Sequence, residues 1–191
     1  GAPLGRTAGG ISFSRSTHGL VEQSVFWDNE LWNSAPESDC GDAYSLCGGA
    51  GAISGNGSFI GTAYVQVVNS SFVGNRTRGY GIWGDVGGSY HAAGAISSHS
   101  LSVSNSVFVD NTVGPDLAAS ALWFPAGDDR DQVIADDPQP LRSSCVDGLS
   151  FYVGNDNVLA AGIDGGTGDL EDFVDADIGN LRLRPGSPCI D

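Results

Sequence analysis

Aromatic side chains cluster at Tyr80, Trp83 and Tyr90, inside the glycine-rich stretch RTRGYGIWGDVGGSYH of residues 76–91. Flat aromatic faces stack on sugar rings, and loops on a rigid scaffold are where binding groups tend to lie, so these three are candidate glycan-binding residues. The competing expectation is that they pack down and bury their own loop. Trp27 and Trp32 pose the same choice, and Trp123 is expected in the core. Asp128, Asp129, Asp131, Asp136 and Asp137 form an acidic stretch, and Asp164, Asp169, Glu171 and Asp172 a second. Ca²⁺ takes several oxygen ligands, so the first stretch is the candidate calcium site, although neither has EF-hand spacing and solvated surface charge is the alternative. GGTGD at Gly165 falls one residue short of a calcium-binding glycine-rich repeat. No cofactor is required by these patterns, and calcium is the one ion they would take.

No catalytic residue is expected. Lysine is absent, all eight basic residues are Arg, and arginine is a poor proton acceptor. His18, His91 and His99 are dispersed, with turn positions the ordinary reading and a base or metal role the other. Serine-hydrolase, phosphate-loop and dinucleotide motifs do not occur. A net charge of -15 argues against nucleic acid, whose phosphates need positive partners. No apolar run reaches the ~20 residues of a membrane-spanning helix. Four Cys without a C-x-x-C pair fit disulfides, hence an oxidising, extracellular or cell-surface setting. Locality pairs Cys40 with Cys47 and Cys145 with Cys189, with free thiols as the alternative. Glycosylation sequons begin at Asn56, Asn69 and Asn75. The opening GAPLG and the lack of Met read as a processed or excised piece.

The elements that must carry these groups are set by a repeat. AGGIS at Ala8 returns as AGAIS at Ala50 and again at Ala93. Behind each copy comes a second block: VEQSVFWDN from Val21, VVNSSFVGN from Val67 and VSNSVFVDN from Val103. Aligned, the blocks give columns of one chemical type: Gln23, Asn69 and Asn105; Ser24, Ser70 and Ser106; Phe26, Phe72 and Phe108; Asn29, Asn75 and Asn111. Short Val-, Phe- and Ser-rich blocks bounded by Gly and Asn read as strands. Columns of constant type with variable gaps mean a coil with loops. In a stack of parallel strands each turn lies about 4.8 Å above the last, so equivalent side chains pile up. The expected structural ladder is Gln23, Asn69 and Asn105 as inward amides beside Phe26, Phe72 and Phe108. Asn69 would then be a poor glycan acceptor, leaving Asn56 in a loop and Asn75 at a turn as candidates.

These two blocks resemble the repeats of right-handed parallel β-helix proteins of the pectin-lyase-like type, especially those of polymorphic outer membrane proteins, with G-G-A-I followed by N-S-x-F-x-x-N. The tail FVDADIGNLRLRPGSPCID, residues 173–191, is similar to the closing segment of secreted bacterial β-helix proteins, departing from it at Asn180 and Cys189. The resemblance covers roughly the whole chain. It implies an all-β, right-handed parallel β-helix (a solenoid) with long inter-strand loops and stacked Phe and Asn columns, in a single domain of residues 1–191. Residues 1–125 hold the regular coils and 126–191 an acidic closing part, with charges of -5 and -10.

The expected function is an extracellular structural or adhesive module of a surface or matrix protein. The first repeat starts with no amphipathic cap in front of it, and an uncovered solenoid end invites pairing. The expected partners are another copy, stacking end to end into filaments, or flanking domains of a longer chain. Alternatives are a glycan-binding module and a calcium-dependent polysaccharide lyase or hydrolase. The fold alone does not choose between them.

Overall fold

The computed structural model describes residues 7–13, 17–33, 49–55, 63–79, 92–98, 100–113, 133–135, 140–147, 149, 153–160, 173–175, 180–187 and 189. Among these residues every regular element is a strand. The first pass of the chain contributes β1 (Thr7–Ala8), β2 (Ile11–Phe13), β3 (His18–Glu22), β4 (Val25–Trp27) and β5 (Glu30–Asn33). The second repeats the order with β6 (Gly49–Ala50), β7 (Ile53–Gly55), β8 (Tyr64–Val68), β9 (Ser71–Val73) and β10 (Arg76–Gly79). The third adds β11 (Ala92–Ala93), β12 (Ile96–Ser98), β13 (Ser100–Ser104), β14 (Val107–Val109) and β15 (Thr112–Val113). Shorter continuations follow as β16 (Val133–Ala135), β17 (Leu141–Arg142), β18 (Cys145–Val146) and β19 (Val158–Leu159).

Each strand pairs in parallel with its counterpart one pass later, giving the orders β1-β6-β11, β2-β7-β12-β16, β3-β8-β13-β17, β4-β9-β14-β18-β19 and β5-β10-β15. The passes are therefore tiers, and the registers set Ile11 beside Ile53 and Ile96, Val21 beside Val67 and Val103, and Phe26 beside Phe72 and Phe108. β20 (Phe173–Asp175) and β21 (Asn180–Leu183) close the chain as an antiparallel pair.

Two single-residue corners cut each tier into short strands. Between the third and fourth sheets sit Gln23, Asn69, Asn105 and Ser143, with φ of 48°, 51°, 49° and 44°. Between the fourth and fifth sit Asp28, Gly74 and Asp110, with φ of 51°, 65° and 54°. Left-handed backbone costs most residues about 1–2 kcal/mol, and Asn, Asp and Gly least. This corrects the expected ladder: Gln23, Asn69 and Asn105 are exposed at a bend, and their column is selected by backbone conformation.

The inward amide ladder lies six residues further on. Asn75 and Asn111 are buried, Asn29 donates through Nδ2 to Asn75 Oδ1 at 2.8 Å, and Asn75 through Nδ2 to Asn111 Oδ1 at 2.7 Å. Beside it Phe26, Phe72 and Phe108 stack with ring centroids 4.9 and 4.8 Å apart and planes within 2°. Val21, Ile53, Val65, Val67, Ile96, Leu101, Val103, Val133, Leu141 and Val146 complete this core.

The small residues of AGAIS have a steric cause. A Cβ on Gly51 would stand 2.4 Å from the Gly94 carbonyl oxygen and 2.5 Å from the Arg76 nitrogen, so the first sheet closes directly onto the backbone of the fifth.

Candidate interaction surface

Tyr80, Trp83, Tyr90, Trp123, His91 and His99 lie outside the described residues, as do Asp128, Asp129, Asp131, Asp136, Asp137, the second acidic stretch, Cys40, Cys47 and Asn56. Cys145 and Cys189 form a disulfide across 44 residues of chain, as fits an oxidising compartment. Among the described residues no cluster of three metal-binding side chains occurs, and no helix is long and apolar enough to cross a membrane. Asn75, expected at a turn and open to glycosylation, is instead buried in the ladder, where a glycan has no room; Asn69, expected inward, is the exposed one.

Three surface features gather the remaining chemistry. The first is the outer face of the β4-β9-β14-β18-β19 sheet. Side chains flanking an inward Phe point outward, and here they are apolar: Val25 and Trp27, Val73, then Val107 and Val109. Val73, Val107, Val109, Cys145 and Ala160 form a second core, onto which Leu183 and Cys189 pack from the closing segment. VFV at Val107 is an unbroken apolar run, the pattern of a strand buried on both faces, but the run does not say what covers the outer one. At the first tier that covering is missing: Val25 is 60 % and Trp27 44 % exposed, against 1 % for Val73.

The second feature is a polar groove of about 260 Å³ beside the exposed corners, lined by Asn69, Asn105, Ser143, Ser144, Asp156 and Leu183 among others. Val107, Val158 and the Cys145–Cys189 disulfide line it too, so amides and hydroxyls stand there beside apolar side chains. His18 stands apart from it, exposed and tilted against Tyr64 at 5.8 Å.

The third is an acidic line at the other corner. Arg76 pairs with Asp28, and Arg78 lies 3.8 Å from Glu30. Higher in the stack, burial pushes the Asp110 carboxyl above the ordinary carboxylate range; the Asp147 charge adds to this and Arg76 opposes it.

The first tier is the edge of all five parallel sheets at once. Ile11 is 39 % exposed there, while Ile53 and Ile96 above it are fully buried. Leu20 and Trp32 are also exposed on this tier. An edge strand leaves backbone N–H and C=O groups unpaired, and apolar side chains beside it add area that a partner can bury. No protein-family model, curated protein or solved structure matches the chain.

Proposed function

We propose that the tiers form a right-handed parallel β-helix of the pectin-lyase-like kind, and that the molecule works as an extracellular structural or adhesive module extended along its axis. The observation that carries this reading is the column structure. Phe, Ser and Asn side chains of one tier bond or stack with the same residue types of the next, through Phe26, Phe72 and Phe108, through Ser24, Ser70, Ser106 and Ser144, and through Asn29, Asn75 and Asn111. Specific polar groups are thereby committed to holding a rod together. The right hand follows from the crossover rule for parallel strands. The disulfide and the net charge of -15 suit a secreted, highly hydrated surface. Flanking domains or further copies reach such a rod along its axis.

Two measurements test this. Antibody labelling of intact producing cells should place the chain outside the membrane; a cytosolic chain with Cys145 and Cys189 reduced would sink the reading. Incubation with acidic and neutral polysaccharides, with calcium and with chelator, should yield neither unsaturated uronate nor new reducing ends. Turnover would instead identify an enzyme.

A second reading, a glycan-binding module, draws support from the amide- and hydroxyl-lined groove between Asn69 and Ser143. Asn105→Asp would then weaken retention on an immobilised neutral glycan.

A further inference from the structure

The side-chain ladders have a direction. In the Ser column the hydroxyl donates to its own backbone two residues earlier, Ser70 Oγ to the Val68 carbonyl at 3.0 Å and Ser106 Oγ to that of Ser104 at 2.9 Å. That leaves a lone pair facing the tier below, which takes the lower N–H: Ser24 N–H donates to Ser70 Oγ, Ser70 N–H to Ser106 Oγ, and Ser106 N–H to Ser144 Oγ. The Asn column runs the same way. Asn75 Oδ1 accepts both the N–H and the Nδ2–H of Asn29, and Asn111 Oδ1 accepts both from Asn75. The second Nδ2 hydrogen turns down, from Asn75 to the Phe26 carbonyl and from Asn111 to that of Phe72, each at 2.9 Å.

At the first tier the pattern stops halfway. Ser24 Oγ donates to the Glu22 carbonyl at 2.8 Å and accepts nothing among the described residues. Asn29 uses one Nδ2 hydrogen upward, leaving Oδ1 and the other hydrogen facing the open side. These groups lie between the edge strands β3, β4 and β5 and beside the exposed Val25 and Trp27.

We propose that this edge is a docking surface for one further tier of S-x-F-x-x-N chemistry, belonging to another polypeptide segment and running parallel to β4. Such a tier supplies what is missing: a backbone N–H for Ser24 Oγ, a backbone N–H and an amide Nδ2–H for Asn29 Oδ1, and a Phe carbonyl for Asn29 Nδ2. The contact continues the interface already repeated between the first, second and third tiers. This rests on the β-helix reading above and names the kind of partner met along the axis.

A second copy of these 191 residues fits less well in either orientation. Edge against edge, the two-fold would set the strands antiparallel, so Ser24 and Asn29 would lose the parallel register that places like beside like between the other tiers. Head to tail, the upper end would have to donate, but there the Ser column ends on Asn157. Its Oδ1 takes the Ser144 N–H, its own N–H goes to the Gly154 carbonyl, and its Nδ2 to that of Leu141.

The test fuses a duplicate of residues 49–91 ahead of Gly1 in the full chain and follows amide exchange in both parts. The terminal tier of a stack is held from one side only, so covering it should slow exchange across residues 18–33 at least about tenfold and raise Tm. Asn75→Ala in the duplicate alone should remove most of that gain. An appended tier that stays unprotected, a gain indifferent to Asn75→Ala in the duplicate, or unextended chains that self-associate and protect residues 18–33 would each overturn the proposal. None of these depends on polysaccharide turnover, so failure here and failure of the scaffold reading are told apart.

Discussion

Asn75 uses every hydrogen-bonding position of its amide: Oδ1 accepts twice from Asn29, and Nδ2 donates to Asn111 and to the Phe26 carbonyl. Removing it leaves several buried groups unpaired, so Asn75→Ala should cost about 3 kcal/mol in urea unfolding. Asn105 sits at an exposed corner with φ of 49°, so Asn105→Gly should be close to neutral and Asn105→Ala should cost about 1 kcal/mol. A loss at Asn105→Gly as large as at Asn75→Ala would contradict this division of labour. Phe72, stacked between two rings and fully buried, should lose about 3–5 kcal/mol as Phe72→Ala. Asp110 gives a pH signature. Burial and Asp147 hold its folded-state carboxyl above the ordinary value, so the folded protein keeps this proton more tightly than the unfolded chain. Its penalty is absent in acid, grows as pH rises from the ordinary carboxylate value through the raised one, and is constant beyond. Asp110→Asn should therefore raise Tm over the parent at pH 7, with the difference vanishing in acid.

At the scale of elements, the three-residue strands are bounded by left-handed corners, and their alternate side chains feed two cores. The inner one was legible from Phe26, Phe72 and Phe108, since one residue type recurring in fixed relation to Val and Ser leaves little choice of register. The outer one was not, because it depends on Leu183 and Cys189 returning from the end of the chain to Val107 and Val109. The disulfide holds that return. Closing a loop of 44 residues restricts the unfolded chain by about 4 kcal/mol in the chain-entropy account. Reduction should therefore lower Tm, speed amide exchange at residues 107–109 and raise binding of a hydrophobic dye. A dye signal unchanged on reduction would mean that the closing segment docks without its tether.

For the whole molecule, 23 acidic residues against 8 basic ones set a self-repulsion that no local contact removes. Salt screens it over about 10 Å at 0.1 M, so Tm should climb between 10 and 150 mM NaCl and then level off. A Tm that falls over this range would mean that the Arg76–Asp28 and Arg78–Glu30 pairs outweigh the net charge.

By itself, the sequence determined the strand class, the repeat and the residues that share a column, because parallel stacking demands like beside like and writes that demand into every copy. It did not tell which Asn column faces inward. Asn69 and Asn75 look alike in a sequence, and only the φ of 51° at Asn69 against the buried pairing of Asn75 separates a corner from a ladder. The polarity of the ladders and the outer core were likewise decided in three dimensions, since each depends on which neighbour lies above or below a group.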